Sequence, residues 1–180
     1  MLASLGLRFE IMAPDVDETQ APEEHPDQMV MRLARSKAKA VADGLNDSQD
    51  DGPPLVLAAD TTVVVEGRNL GKPHDREEAA DFLRLLSGRA HLVHTGHALR
   101  LAGREATMLR STVVRFRELE EAEVLAYAAG GEGLDKAGGY AIQGVGATMI
   151  DGIEGCYGAV VGLSLPAVLL AARELGVRLV

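Results

Sequence analysis

The chain has 180 residues, 47% of them hydrophobic, which suits one globular domain with a sizeable core. Its formal net charge of −9 repels polyanions and so excludes a general nucleic-acid or anionic-membrane binder, though not a small polyanion held in a locally basic cleft. A single cysteine, Cys156, rules out an internal disulfide, and no apolar run reaches the roughly 18–20 residues of a membrane span.

The first residues, "MLASLGLRFEIM", lack the charged start and long apolar core of a signal peptide, so the expectation is a soluble, cytoplasmic protein. Residues 5–12, "LGLRFEIM", alternate well enough to predict a strand. The Pro-rich, acidic "APDVDETQAPEEHPDQ" then predicts a loop. From Pro26 to about Leu45, Met29, Leu33, Ala34 and Val41 recur at helical spacing and predict an amphipathic helix. "NDSQDDGPP" closes it as a mobile surface loop. "LVLAADTTVVVEG" reads as a largely buried strand.

"DREEAADFLRLLSG" predicts a helix with Asp75 at its cap, Glu78 three residues on and Gly88 past its end. "AHLVHTGHALRLAGREATMLRSTVVRFREL" predicts a long hairpin turning near Ala102-Gly103-Arg104. "EEAEVLAYAAG" predicts another helix, and the glycine-rich segment after it a mixture of short strands and turns. "LPAVLLAARELG" predicts a final helix with Pro166 in its first turn. Helices alternating with strands, with one hairpin inserted, define an α/β class with a mixed, twisted sheet in a single domain over residues 1–180.

Two clusters carry candidate chemistry. Fourteen of the eighteen cations are arginine, and the four lysines are Lys37, Lys39, Lys72 and Lys136. Asp60 follows "LVLAA", where a buried strand is expected to emerge; a carboxylate there can hold Mg²⁺ or accept a proton from water, or simply bond its own turn. Lys72, in "LGKPHD", follows the "EGRNL" turn, and a returning strand would carry it back toward Asp60. Lys37 and Lys39 point well apart on a helix, so one of them at most enters a cleft. Asp15, Asp17 and Glu18 offer a second oxygen ligand, or form a solvated acidic loop. In "LDKAGGYAIQGVGA", Gly138, Gly139, Gly144 and Gly146 permit close backbone approach, Lys136 offers a cation, and Gln143 an amide able to read a pyrimidine-like edge; a run of tight turns is the plain alternative.

Several familiar chemistries are excluded by order and spacing. The G-x-x-x-x-G-K-[ST] order of a P-loop is absent, as is a G-x-S-x-G elbow. On a strand, His91 and His97 share a face and His94 turns away, and no H-E-x-x-H or cysteine pair appears, so zinc is rejected.

Taken in order, "PDVDE", "RLARSKAKAV", "LAADTTVVVEGRNLGKP", "EEAADFLRLLSGRAHLVHTG", "VRFREL", "YAAGGEGLDKAGGYAIQGVGA" and "GAVVGL" resemble the Maf family of nucleoside triphosphate pyrophosphatases, from about Leu5 to Leu175. The resemblance implies an elongated, two-lobed α/β fold with a central cleft, related to the inosine triphosphate pyrophosphatases. It also implies a homodimer and Mg²⁺- or Mn²⁺-dependent cleavage of a nucleoside triphosphate to the monophosphate and pyrophosphate. Asp60 matches the family's proton acceptor and metal ligand, with Glu18 beside it in the catalytic set. Thr61 and Gln143 match positions tied to base specificity, and Lys37, Lys72 and Lys136 match polar residues that meet phosphate. The "DKAGGYAIQG" form is similar to the branch that prefers dTTP and UTP.

The sequence departs from the family pattern at two places. "GLSLP" stands at Gly162–Pro166 where the family usually has "GLP". Members also open with a strand and an S-x-S-P-R-R motif that this sequence lacks ahead of Leu5-Gly6; either the start is placed too late or the chain is genuinely short, and a short chain is expected to be weakly active or inactive. The second expectation is therefore a catalytically impaired nucleotide-binding protein that regulates cell division or septum formation.

Overall fold

The computed structural model describes residues 1–45 and 52–180. The loop expected over Asn46–Pro54 therefore lies largely outside the described residues. In chain order the elements are α1 (Pro26–Gly44), β1 (Val56–Val65), β2 (Arg68–Leu70), α2 (Arg76–Leu86), β3 (Ala90–Leu101), β4 (Arg104–Phe116), α3 (Glu121–Gly130), β5 (Ile150–Glu154), α4 (Tyr157–Val161) and α5 (Leu165–Glu174). Short 3₁₀ turns occupy Leu2–Leu5, Ala137–Gly139 and Gly144–Met149. The strands hydrogen-bond in the order β2-β1-β3-β4-β5, and β1–β2 and β4–β5 are antiparallel. The α/β class is the one expected. Among the described residues no helix is long and apolar enough to cross a membrane.

Local chemistry accounts for most boundaries. Pro26 sits in the first turn of α1, where its missing N–H costs nothing. The Asp75 carboxylate accepts the Glu78 N–H at 2.9 Å, and the Glu78 carboxylate accepts the His74 N–H at 2.6 Å, closing the start of α2. Ala102 and Gly103 both have positive φ, 49° and 77°, the two-residue turn whose twist suits the β3–β4 hairpin. The Ser164 hydroxyl caps α5 by accepting the Ala167 N–H at 3.3 Å.

The chain divides into two compact units: Met1–Asp60 with Thr95–Arg110 and Gly162–Val180, and Thr61–His94 with Ser111–Val161. In the first unit the pleat of the sheet decides which helix each strand residue meets. Val56, Ala58 and Ala98 pack against Ala34, Ala38 and Val41 of α1, while Leu55, Leu57 and Leu99 pack against Val168, Ala171 and Ala172 of α5. The sheet of this unit is thus covered by α1 on one face and α5 on the other. Gly96 makes the α1 contact close, because a Cβ there would lie 2.5 Å from the Val30 carbonyl oxygen. The second unit buries Val63, Val65, Val93, Val114 and Phe116 against Leu83 and Leu86 of α2 and Val124 and Tyr127 of α3.

The strand expected over residues 5–12 does not form. After the 3₁₀ turn at Leu2–Leu5 the chain runs without regular structure to α1, and Ile11 is 88% exposed. Alternation marks a side chain's preference for one face, but a strand also needs a neighbour's backbone groups. Leu7, Phe9 and Met12 instead line a cavity of about 660 Å³ whose other wall includes Val56, Leu57 and Ala58 of β1. The glycine-rich segment after α3 forms turns and a short strand as expected, the two 3₁₀ turns and β5, and adds the helix α4 that was not expected.

Candidate active site

In the first unit three expected residues converge. Lys37 lies on the α1 face that carries Leu33 and Ala34, so its stem is drawn toward the core while its ammonium reaches outward. Its Nζ donates to Asp60 Oδ1 at 2.6 Å and pairs with Glu18 Oε1 at 2.6 Å. The Asp60 side chain is 12% exposed, Lys37 19% and Glu18 50%. Burial works against the Lys37 charge, but the hydrogen bonds to Asp60 and Glu18 outweigh it and raise its pKa above the ordinary lysine value.

Asp60 is not at a strand end. It is the fifth of ten residues in β1, because the β-branched residues that follow continue the strand instead of ending it. Its neighbour Thr61 points to the opposite face of the pleat, the face of Val63 and Val65.

Sequence reasoning did not find what delivers Glu18. Arg32, five residues before Lys37 on α1, grips Glu24 with two parallel hydrogen bonds of 2.7 and 2.8 Å and donates to the Thr19 carbonyl at 3.0 Å. The hydrogen bond from Arg32 holds the Glu24 carboxyl at about 2. Asp17 accepts the Thr19 N–H at 2.9 Å rather than facing the cluster. The acidic loop is therefore fastened to α1 on either side of Glu18, and only Glu18 of its candidates reaches Lys37. Lys39 turns away to Asp43, and Arg35 pairs with Glu105, as helical spacing requires.

In the second unit Lys72 and Lys136 share a neighbourhood. β2 returns along β1 with Leu70 opposite Val63, and beyond it the Gly71 carbonyl accepts the Gly138 N–H at 3.0 Å. Lys136 Nζ bonds both Asp135 oxygens at 2.6 Å, and the Asp135 carboxyl is lowered by that bond first and by the Lys72 charge last. Both lysines are exposed. Gln143 is exposed too, at the start of the 3₁₀ turn Gly144–Met149.

The glycines here serve the protein's own packing. A Cβ at Gly138 would meet Val63 at 2.9 Å, and one at Gly144 would lie 1.9 Å from Glu132 Oε1. The close approach expected of a ligand is taken up by neighbouring residues.

The three strand histidines take separate partners. His91 Nε2 shares a hydrogen bond with the Tyr140 hydroxyl at 2.7 Å, His94 Nδ1 with Ser111 at 2.8 Å, and His97 Nε2 accepts the buried Ser164 N–H at 2.8 Å.

The first unit thus carries a carboxylate–ammonium–carboxylate cluster of Asp60, Lys37 and Glu18. Comparison with known proteins narrows the class. A family model described as Maf-like protein matches residues 1–175, across both units. The chain is 45% identical over 178 residues to a protein of Syntrophotalea carbinolica named dTTP/UTP pyrophosphatase, covering 98% of this chain and 79% of that protein. It is 48% identical over 167 residues to a protein of the same name from Pelotomaculum thermopropionicum (92% and 84%), and 46% over 182 residues to one from Shewanella oneidensis (98% and 92%). The chain belongs to the Maf family.

Proposed function

We propose that this protein is a nucleoside triphosphate pyrophosphatase that cleaves dTTP and UTP to the monophosphate and pyrophosphate, a nucleotide-pool cleaning activity. The observation that carries the reading is the convergence of Asp60, Lys37 and Glu18 in a chain 42–48% identical to proteins named for that reaction. The division-regulating alternative has no such support, since these relatives carry an enzyme's name.

Each residue takes a role its chemistry allows. An Asp60 oxygen accepts a proton from water as the water oxygen attacks the α-phosphorus. The bond from that phosphorus to the bridging oxygen breaks, and pyrophosphate leaves with the electron pair. Lys37 holds the Asp60 carboxylate ionised and in place. Lys37, Lys72 and Lys136 offset phosphate charge, while Thr61 and Gln143 contact the base.

The donor chemistry of the cluster fits a hard divalent cation. Two carboxylates from separate elements already converge on one positive charge, and Mg²⁺ commonly takes one or two carboxylates, with water and substrate phosphate completing its shell. Asp60 and Glu18 would hold Mg²⁺ or Mn²⁺, which supplies charge neutralisation on the phosphate oxygens. The proposal includes a cytoplasmic homodimer, for which mass measurement in solution is the check.

Pyrophosphate release from dTTP and UTP, with Mg²⁺ or Mn²⁺ and with Asp60→Asn as control, tests the whole. A general base contributes about 10²–10⁴-fold, so the variant is expected to lose activity on that scale. Equal turnover by variant and parent removes Asp60 from the mechanism. Faster cleavage of purine nucleotides than of dTTP and UTP overturns the base assignment.

A further inference from the structure

We propose that Glu132 is a positioning residue for base selectivity: its carboxylate and the Tyr127 hydroxyl pin the backbone on both sides of Gln143 and so fix where the Gln143 amide points. The inference rests on the assignment of Gln143 to base contact and extends it to residues that touch no substrate.

The geometry is a clamp. Glu132 Oε1 accepts the Val145 N–H at 3.1 Å and Oε2 accepts the Gly146 N–H at 3.0 Å, which fixes the chain two and three residues after Gln143. Two residues before it, the Ala141 N–H donates to the Tyr127 hydroxyl at 3.0 Å. That hydroxyl also hydrogen-bonds the Glu132 carboxylate, so both anchors belong to one network. Tyr127 is 7% exposed and packed in the core, which makes it a fixed post.

The glycines flanking Val145 record how tightly the clamp is drawn. Gly144 has φ +68°, and the space of its missing Cβ is filled by Glu132 Oε1 at 1.9 Å. A Cβ on Gly146 would lie 2.1 Å from the Ala141 carbonyl oxygen and 2.9 Å from the Tyr127 hydroxyl. No other residue type fits at either place without displacing an anchor. Gln143 itself stays exposed between the two anchors.

The clamp requires an ionised Glu132. Burial opposes that charge, but the hydrogen bonds from Tyr127, Gly146 and Val145 together outweigh it and lower the carboxyl pKa. E132Q keeps the size and one acceptor oxygen, but turns an NH₂ donor toward one of the two backbone N–H groups. That end of the clamp opens and the Gln143 backbone gains freedom.

The test titrates dTTP and GTP into parent and E132Q by calorimetry and follows hydrogen exchange at the Val145 and Gly146 amides. Losing one charge-assisted anchor is expected to weaken dTTP binding about tenfold, GTP binding less than about threefold, and to speed exchange of both amides about tenfold or more. In turnover the loss falls on KM more than on kcat. A folded E132Q with the parent's dTTP-to-GTP ratio overturns the inference, even where exchange quickens, because the clamp is then structural only. If E132Q does not fold, Tyr127→Phe removes the Ala141 anchor and keeps the carboxylate; an unchanged ratio there is equally fatal. A parent that binds dTTP selectively but releases no pyrophosphate overturns the enzymatic reading, and the binding ratios still decide the role of Glu132. A parent that binds neither nucleotide overturns both.

Discussion

Acidification through the histidine range is expected to destabilise the second unit through His91. This ring is 3% exposed, packed edge-on against Phe116 and Tyr140 at 5.2 and 5.4 Å between centroids. Its Nε2 meets the Tyr140 hydroxyl, and its Nδ1 has no partner among the described residues. A protonated ring would bury a charge and leave an N–H without an acceptor, so burial lowers the His91 pKa from 6.5 to about 4. The unfolded chain therefore takes up a proton that the folded one refuses. Stability is complete above about pH 6.5 and falls as pH drops toward 4, by about 3 kcal/mol in all and with a steepest slope of about 1.4 kcal/mol per pH unit. Burial depresses His97 also, and its loss adds in the same direction. The ion-paired Glu24 and Glu123, held at about 2, begin to lose their contribution only below about pH 4.5, which leaves the interval from 6.5 to 4.5 to the histidines. Urea unfolding at half-unit pH steps, on parent and His91→Phe, reads the effect. The variant starts less stable because Tyr140 loses its partner, but its pH slope is shallower. A parent whose stability is flat from pH 6.5 to 4.5, or a variant with the parent's slope, refutes the reasoning.

Other perturbations follow from single contacts. Lys37→Gln leaves the Asp60 and Glu18 carboxylates without their shared cation and is expected to cost about 2 kcal/mol in urea unfolding, with pyrophosphatase activity lost alongside. Gly96→Ala drives a Cβ to 2.5 Å from the Val30 carbonyl oxygen and is expected to cost about 3 kcal/mol, while Gly152→Ala meets nothing within 4 Å and shifts the thermal midpoint little. Asp75→Ala removes the acceptor for the Glu78 N–H at the start of α2, a loss of about 1 kcal/mol by thermal or urea melts.

Part of the site was legible in the residues alone. Helical spacing alone sent Lys37 and Lys39 to different sides of α1, and the pleat sent His94 away from His91 and His97. The residues that were not legible act across long separations. By composition Glu18 reads as one of several acids in a charged loop, and only the family resemblance singles it out; what brings it to Lys37 is Arg32, which ties Glu24 and Thr19 to α1. Glu132 reads as one more polar residue among glycines; the signal was there in the glycines at 144 and 146, whose reason is a carboxylate and a phenol standing where side chains would go.

The sequence by itself determined the punctuation of several elements: the cap at Asp75, Pro166 in the first turn of α5, the turn near Ala102-Gly103, and the apolar periods of α1 and β1. These are matters of a few neighbouring residues, and local sterics and hydrogen bonds settle them. Tertiary structure alone decided that residues 5–12 stay unpaired and that Lys37 meets two carboxylates at once. Each depends on which backbone edge or charge a distant segment brings alongside, and no periodicity within a short stretch encodes that partner.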